Sequence, residues 1–150
     1  MNLRGIHHIA IIASDYERSR DFYVNKLGFT VIRENRRPDK NDVKLDLRVD
    51  DHTEIELFGM PSPPPRVTSP EACGLRHLAF HVDDIDAAVS ELEARGIPCE
   101  PIRVDPYTGN RMTFFRDPDN LPLELQQAGR GSAPAPRTAR LGRAELDCKG

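Results

Sequence analysis

Ile6-His7-His8-Ile9-Ala10-Ile11 and Leu75-Arg76-His77-Leu78-Ala79-Phe80 carry one short pattern at an offset of 69 residues, and reading them as a repeat decides the fold. Gly28 then lies over Gly96 at an offset of 68, so one residue is lost between the two landmarks. The same offset of 68 sets Ile55-Glu56-Leu57 on Leu123-Glu124-Leu125. Sequence-related units in one chain place equivalent residues around a pseudo-twofold axis. The alignment therefore pairs His8 with His77 and Glu56 with Glu124.

Working outward, each half reads as a strand, a helix and three strands. In the first half, Ile6 to Ile12 is short, apolar and β-branched, and Ser14-Asp15-Tyr16-Glu17 supplies a Ser-x-x-Glu capping box. Tyr16, Ser19, Tyr23 and Leu27 fall on one helical face, and Gly28 stands where a helix end tolerates positive φ, so a helix is expected over residues 15–27. Phe29 to Glu34, Val43 to Val49 and Glu54 to Phe58 read as strands, separated by a charged loop at Arg36-Arg37-Pro38 and a turn at Asp50-Asp51-His52. Five prolines between Met60 and Pro70 mark a linker.

In the second half, Leu75 to Val82 is again a strand, with Asp83 expected to cap a helix whose stripe is Ile85, Ala88, Val89 and Leu92. Gly96 ends it, and Cys99 to Val104, Arg111 to Phe115 and Leu121 to Gln126 read as strands, with Asp117-Pro118-Asp119-Asn120 as the last turn. The fold class is α+β, two tandem βαβββ modules forming a cupped mixed sheet. Residues 1–128 form one domain: module one at 5–59, the linker at 60–73 and module two at 74–128. Residues 129–150, rich in Gly, Ala, Pro and Arg, read as a flexible tail.

A single strand histidine is more often a hydrogen-bonded core residue than a ligand. Paired carboxylates in apolar strands are a different matter, because an ionised carboxylate costs several kcal/mol to desolvate without a partner. No lysine or arginine occupies a repeat-matched inward position. Two imidazoles and two carboxylates suit divalent Zn, Ni, Co, Mn or Fe, so His8, Glu56, His77 and Glu124 are the expected ligands of one metal ion. His7 points away from His8 by strand alternation. His81 shares the parity of His77 but matches Ile12, His52 lies in a turn, and Arg36-Arg37 reads as a solvated loop.

With 38% hydrophobic and 30% charged residues and a net charge of −3, the balance excludes a basic nucleic-acid groove. No run is long and apolar enough to span a bilayer, and MNLRGIHHIAII shows no signal-peptide layout, so the expectation is a cytoplasmic protein that binds a small molecule, with no nucleic-acid or membrane partner. Cys73, Cys99 and Cys148 are odd in number and lack CxxC spacing, which argues for reduced thiols.

HHIAIIASDYERSRDFYVNKLGF, IELF, GLRHLAFHVDDIDAAV and FFRDPDNLPLEL are the segments in which the chain resembles the vicinal-oxygen-chelate superfamily, and within it the glyoxalase I-like proteins. The resemblance covers residues 6–127. It implies paired βαβββ modules cupped around a metal site that a homodimer interface often completes, and the ligand set His8, Glu56, His77 and Glu124. It further implies a lyase or isomerase of lactoylglutathione-lyase type, which removes a proton next to a carbonyl and stabilises an enediolate, with glutathione or another thiol as carrier. Glu124, with Glu56 as its symmetric partner, would serve as general base. The extradiol dioxygenases of the superfamily resemble a two-histidine, one-carboxylate site instead. An epimerase acting on a coenzyme A thioester and a metal-free small-molecule binder are the alternatives. DPDNLP stands where glyoxalase I usually has a Gly-Tyr pair.

Overall fold

A computed structural model describes residues 1–127. Its first half runs β1 (His8–Ala13), α1 (Tyr16–Arg20) continuing as π-helical turns over Asp21–Lys26, β2 (Thr30–Arg37), β3 (Asp42–Arg48) and β4 (Glu54–Gly59). Its second runs β5 (Leu78–His81), α2 (Ile85–Ala94), β6 (Arg103–Val104), β7 (Arg111–Arg116) and β8 (Pro122–Gln127). The strands form two four-stranded mixed sheets, ordered β1-β4-β3-β2 and β5-β8-β7-β6. In each, the first strand of the unit pairs parallel with the last, and the remaining pairs are antiparallel. The paired βαβββ architecture is thus as expected. The 129–150 tail lies outside the described residues.

Several boundaries differ for local reasons. Asp15, not Ser14, caps the first helix by accepting from the Arg18 N–H at 3.1 Å, because Ser14 is bonded to Asp119 across the chain. Asp84, not Asp83, caps α2, accepting from the Ala87 N–H at 3.0 Å. β2 extends through Arg36 and Arg37, since the Arg37 guanidinium grips Asp42 on β3 with two bonds of 2.6 Å and carries the pairing past the expected loop. β6 shrinks to two residues. Gly28 and Gly96 do take positive φ, 80° and 75°, where their helices end.

Strand alternation sends Ile11, Ala13, Leu45, Leu47, Ile55 and Leu57 of the first sheet and Leu78, Phe115, Leu123 and Leu125 of the second into one continuous core. Phe22 and Tyr23 from the π-helical turns and Ile85 and Leu92 from α2 complete it. Each unit has one apolar face to bury, and sharing a core lets both do so in a chain of this length. The halves are also bolted together by polar bonds. The Tyr23 hydroxyl donates to Asp117 Oδ2 at 2.9 Å, and the Ser14 N–H donates to Asp119 Oδ2 at 2.9 Å. No helix among the described residues is long and apolar enough to cross a membrane.

Asp117 is buried, and its Oδ1 accepts from the Leu121 and Asp119 N–H groups at 2.7 and 2.9 Å. Burial outweighs these bonds and raises its carboxyl above the ordinary value. The folded chain then keeps a proton that the unfolded chain releases, so Asp117 contributes a stability that falls as pH rises between its unfolded and folded pKa. Asp117→Asn, uncharged throughout, lacks that fall. Its melting temperature should gain relative to the parent as pH is raised from about 3.5 to 7, measured by thermal denaturation. A difference that does not vary with pH would refute this account.

Candidate metal centre

The four sequence-selected residues come forward in two pairs, one on each sheet, on the face opposite the core. Register explains the pairing. Ala10 lies beside Glu56 and Ala79 beside Glu124, so the strand-register positions repeat as the sequence offset requires. His8 on β1 and Glu56 on β4 therefore share a face, as do His77, immediately before β5, and Glu124 on β8. His8 Nε2 is 3.7 Å from Glu56 Oε2, and His77 Nε2 is 3.1 Å from Glu124 Oε2. Among the described residues no group of three or more potential ligands gathers around one point, so the single chain presents two half-sites rather than one closed cage.

Exposure differs between the partners. The carboxylate side chains are 16% exposed at Glu56 and 6% at Glu124, while the imidazoles of His8 and His77 are 42% and 29% exposed. The pairs are anchored at their bases and open outward. An open pocket of about 490 Å³ lies over the second pair, bordered by Met112, Phe114, Arg103 and Arg116 as well as His77 and Glu124. The His77 ring sits edge-on to Phe114 at 5.4 Å, and the Arg103 guanidinium lies 5.7 Å from the same ring centroid.

His7 is closer to the site than alternation alone suggests. Its Nδ1 lies 2.9 Å from His8 Nδ1 with the rings edge to face, which leaves His8 Nε2 turned toward Glu56. His81 is exposed on the His77 face, and His52 is exposed in its turn. Arg36 and Arg37 belong to β2 rather than to a loop; Arg37 is spent on Asp42.

Lys44 is the residue that repeat alignment misses. It stands in β3 opposite Phe58, and its Nζ is 2.6 Å from Glu56 Oε1 and 2.9 Å from Asp46 Oδ1. A cation does occupy the site face of the first half, at a position whose repeat equivalent is Met112, so Glu56 has a counter-charge within the chain. Hydrogen bonding to Glu56 raises the Lys44 ammonium above the ordinary lysine value. Burial pushes the fully buried Asp46 up, but Lys44 and Arg33 outweigh it and hold its carboxyl below the usual range. The available signal was alternation in Lys44-Leu45-Asp46-Leu47, where two apolar residues enter the core and two charged ones must turn to the other face.

At the second half-site no lysine or arginine among the described residues pairs with Glu124; its Oε1 receives only the Gln126 amide at 3.3 Å. A nearly buried carboxylate facing an imidazole, without a permanent cation, is a donor set that fits a divalent ion. Each half offers one imidazole nitrogen and one carboxylate, donors of the kind that a metal of intermediate softness accepts.

The Glyoxalase/Bleomycin resistance protein/Dioxygenase superfamily model matches residues 5–125. The chain is 60% identical over 127 residues to the uncharacterised protein YwkD of Bacillus subtilis, covering 85% of this chain and 99% of the relative. It is 31% identical to the 2-epi-5-epi-valiolone epimerase of an Actinomyces species, over 81% of this chain and 78% of that one. Among solved structures, a glyoxalase family protein from Enterococcus faecalis is 54% identical with a TM-score of 0.79, covering 84% of this chain and 99% of that one. The trypanothione-dependent glyoxalase I of Leishmania major is 25% identical with a TM-score of 0.64, over 83% of this chain and 87% of that one.

Proposed function

Because the chain belongs to the glyoxalase/bleomycin resistance protein/dioxygenase superfamily, we propose that it is a divalent-metal-dependent enzyme of glyoxalase I type, which moves a proton at the carbon next to a substrate carbonyl. The observation that carries this reading is the duplicated His–Glu pair, 3.7 Å across at His8–Glu56 and 3.1 Å at His77–Glu124, on the open face of each sheet. His8, Glu56, His77 and Glu124 would hold the ion, which supplies Lewis acidity beside the carbonyl when bound. The histidines stay as fixed ligands through Nε2. Glu124 takes the proton from carbon, since its Oε1 is held only by a neutral amide. Phe114 and Met112 would give the substrate an apolar wall, and an adduct of glutathione or another thiol is the substrate class that a glyoxalase I reading carries.

Two donors do not complete a coordination shell, and both half-sites are open. We infer that a homodimer closes them, with His8 and Glu56 of one copy facing His77 and Glu124 of its partner. A twofold axis then generates two equivalent centres from one interface. A second reading, epimerisation next to a carbonyl, is favoured by the 31% identity to 2-epi-5-epi-valiolone epimerase, and a coenzyme A thioester as its substrate by the 29% identity to the mitochondrial methylmalonyl-CoA epimerase of Homo sapiens. Both readings require proton transfer next to a carbonyl, and they differ in what the second half of the pocket accepts.

Elemental analysis of the purified protein should find about one divalent ion per chain, and His8→Ala with His77→Ala should remove it. Retention of metal by the double variant would reject the ligand set. Glu124→Gln should keep measurable metal but lower turnover of a methylglyoxal hemithioacetal by at least ~100-fold, in the range of a lost general base; full activity would reject its role. Turnover of a coenzyme A thioester epimer instead of the hemithioacetal would select the epimerase reading.

Mixing separates a shared site from an internal one. A His8→Ala/Glu56→Ala chain and a His77→Ala/Glu124→Ala chain should each bind almost no metal alone. Co-refolded, they should regain about one ion per heterodimer, because one of its two centres is built from intact halves. Failure to regain any metal in a verified heterodimer would place all four ligands within one chain.

A further inference from the structure

The two half-sites share a backbone register but not a charge. Lys44 lies opposite Phe58, and its repeat equivalent Met112 lies opposite Gln126; Asp46 lies opposite Glu56, and its equivalent Phe114 lies opposite Glu124. An ion-paired Lys–Asp couple in the first half is thus replaced by a methionine and an aromatic ring in the second. The carboxylates beneath them are held differently as a result. Glu56 has Oε2 toward His8 Nε2 at 3.7 Å and Oε1 on the Lys44 ammonium at 2.6 Å. Glu124 has Oε2 toward His77 Nε2 at 3.1 Å, with Oε1 3.3 Å from the Gln126 amide.

We propose that Lys44 is a positioning residue that clamps Glu56 through Oε1 as the permanent carboxylate ligand, so that Glu124 is the carboxylate free to leave and carry the proton. The inference rests on the metal-enzyme reading above and deepens it by making the two carboxylates unequal. The Lys44 bond joins opposite charges where the Gln126 bond joins a neutral amide to a carboxylate, and 2.6 Å against 3.3 Å adds to that difference. The bond also uses the oxygen that His8 does not face, which keeps Oε2 aimed outward.

An ammonium next to a metal site would ordinarily repel the incoming cation. Asp46 weakens that objection. Fully buried and 2.9 Å from Lys44, it shares its negative charge between Lys44 and the solvent-screened Arg33, so the direction of the clamp is retained while part of its field is offset. Arg33 reaches the same carboxylate from β2 and keeps it in place, with its own side chain 63% exposed. Asp46 therefore has a reason to be buried on the site side of the sheet, and the second half, with no ammonium to balance, has no need of it. Outer groups that hold a metal ligand typically govern 10–100-fold in affinity.

Chelator competition with zinc on the full-length protein tests the clamp without relying on turnover. Lys44→Met should weaken zinc binding about 10–100-fold, Lys44→Arg should stay within about threefold of the parent, and Gln126→Leu should lose less than Lys44→Met. Glu56→Gln should likewise lose more affinity than Glu124→Gln. Should Lys44→Met fail to fold, Lys44→Gln, which gives the first half the neutral amide of the second, carries the same expectation. Zinc bound by the lysine variants as tightly as by the parent, or more tightly, overturns the clamp. A larger loss from Gln126→Leu or from Glu124→Gln overturns it too. A parent that binds no zinc, nickel or manganese would instead overturn the metal reading beneath it.

Discussion

Everything about the candidate centre depends on parallel pairing between the first and last strand of each unit. That pairing places the histidine, on β1 or immediately before β5, near the strand carrying the glutamate, and a period of two residues puts both side chains on the face that the core does not use. Slipping either strand by one residue would turn His8 or Glu56 inward and push Ile9 or Ile55 out. The core thus sets the site. Leu45, Leu47, Ile55 and Leu57 are fully buried and tolerate no other register, so the charged residues between them have one place to go.

Holding two such sheets in a chain of this size requires that they bury their apolar faces against shared material. The π-helical turns supply Phe22 and Tyr23, and Tyr23 spans the boundary between halves, packing against Phe29 while its hydroxyl reaches Asp117. Burial and the charge of Asp117 push the Tyr23 hydroxyl well above the ordinary tyrosine value, so it acts as a fixed donor. Asp117 in turn organises the turn before β8 by accepting from two backbone N–H groups. The strand bearing Glu124 is therefore positioned by a tyrosine from the opposite unit, and the two half-sites are mechanically linked although they do not meet.

Repetition made the fold and the paired residues legible. Ile6 to Ile11 over Leu75 to Phe80, with Glu56 over Glu124, was enough to select one histidine from each cluster and to give their faces, because matched positions reinforce each other where single positions do not. The same method could not see Lys44 or Asp46, whose equivalents are Met112 and Phe114. Side-chain competition was equally invisible. Ser14 and Asp83 are each plausible helix caps by residue type, and Asp15 and Asp84 took the role because Ser14 was claimed by Asp119, 105 residues away, and because the helix began one residue later than the pattern implied. The π-helical stretch carries no pattern of its own that distinguishes it from an α-helix of equal length.

What duplication provides is geometry, and what divergence provides is chemistry. Two identical half-sites would offer two equivalent carboxylates, and neither would be favoured to let go of a metal in order to accept a proton. A difference between them need not involve the ligands. It can lie one layer out, on β3 and β7, where Lys44 and Asp46 face Met112 and Phe114 across the repeat. That layer is also where the pocket walls are made, apolar and arginine-bordered on the Glu124 side, ion-paired on the Glu56 side. In such an arrangement the paired histidines and glutamates can stay the same while the charge and shape around them are set by their neighbours, so the residues beside the repeat, rather than the repeat itself, distinguish one half from the other.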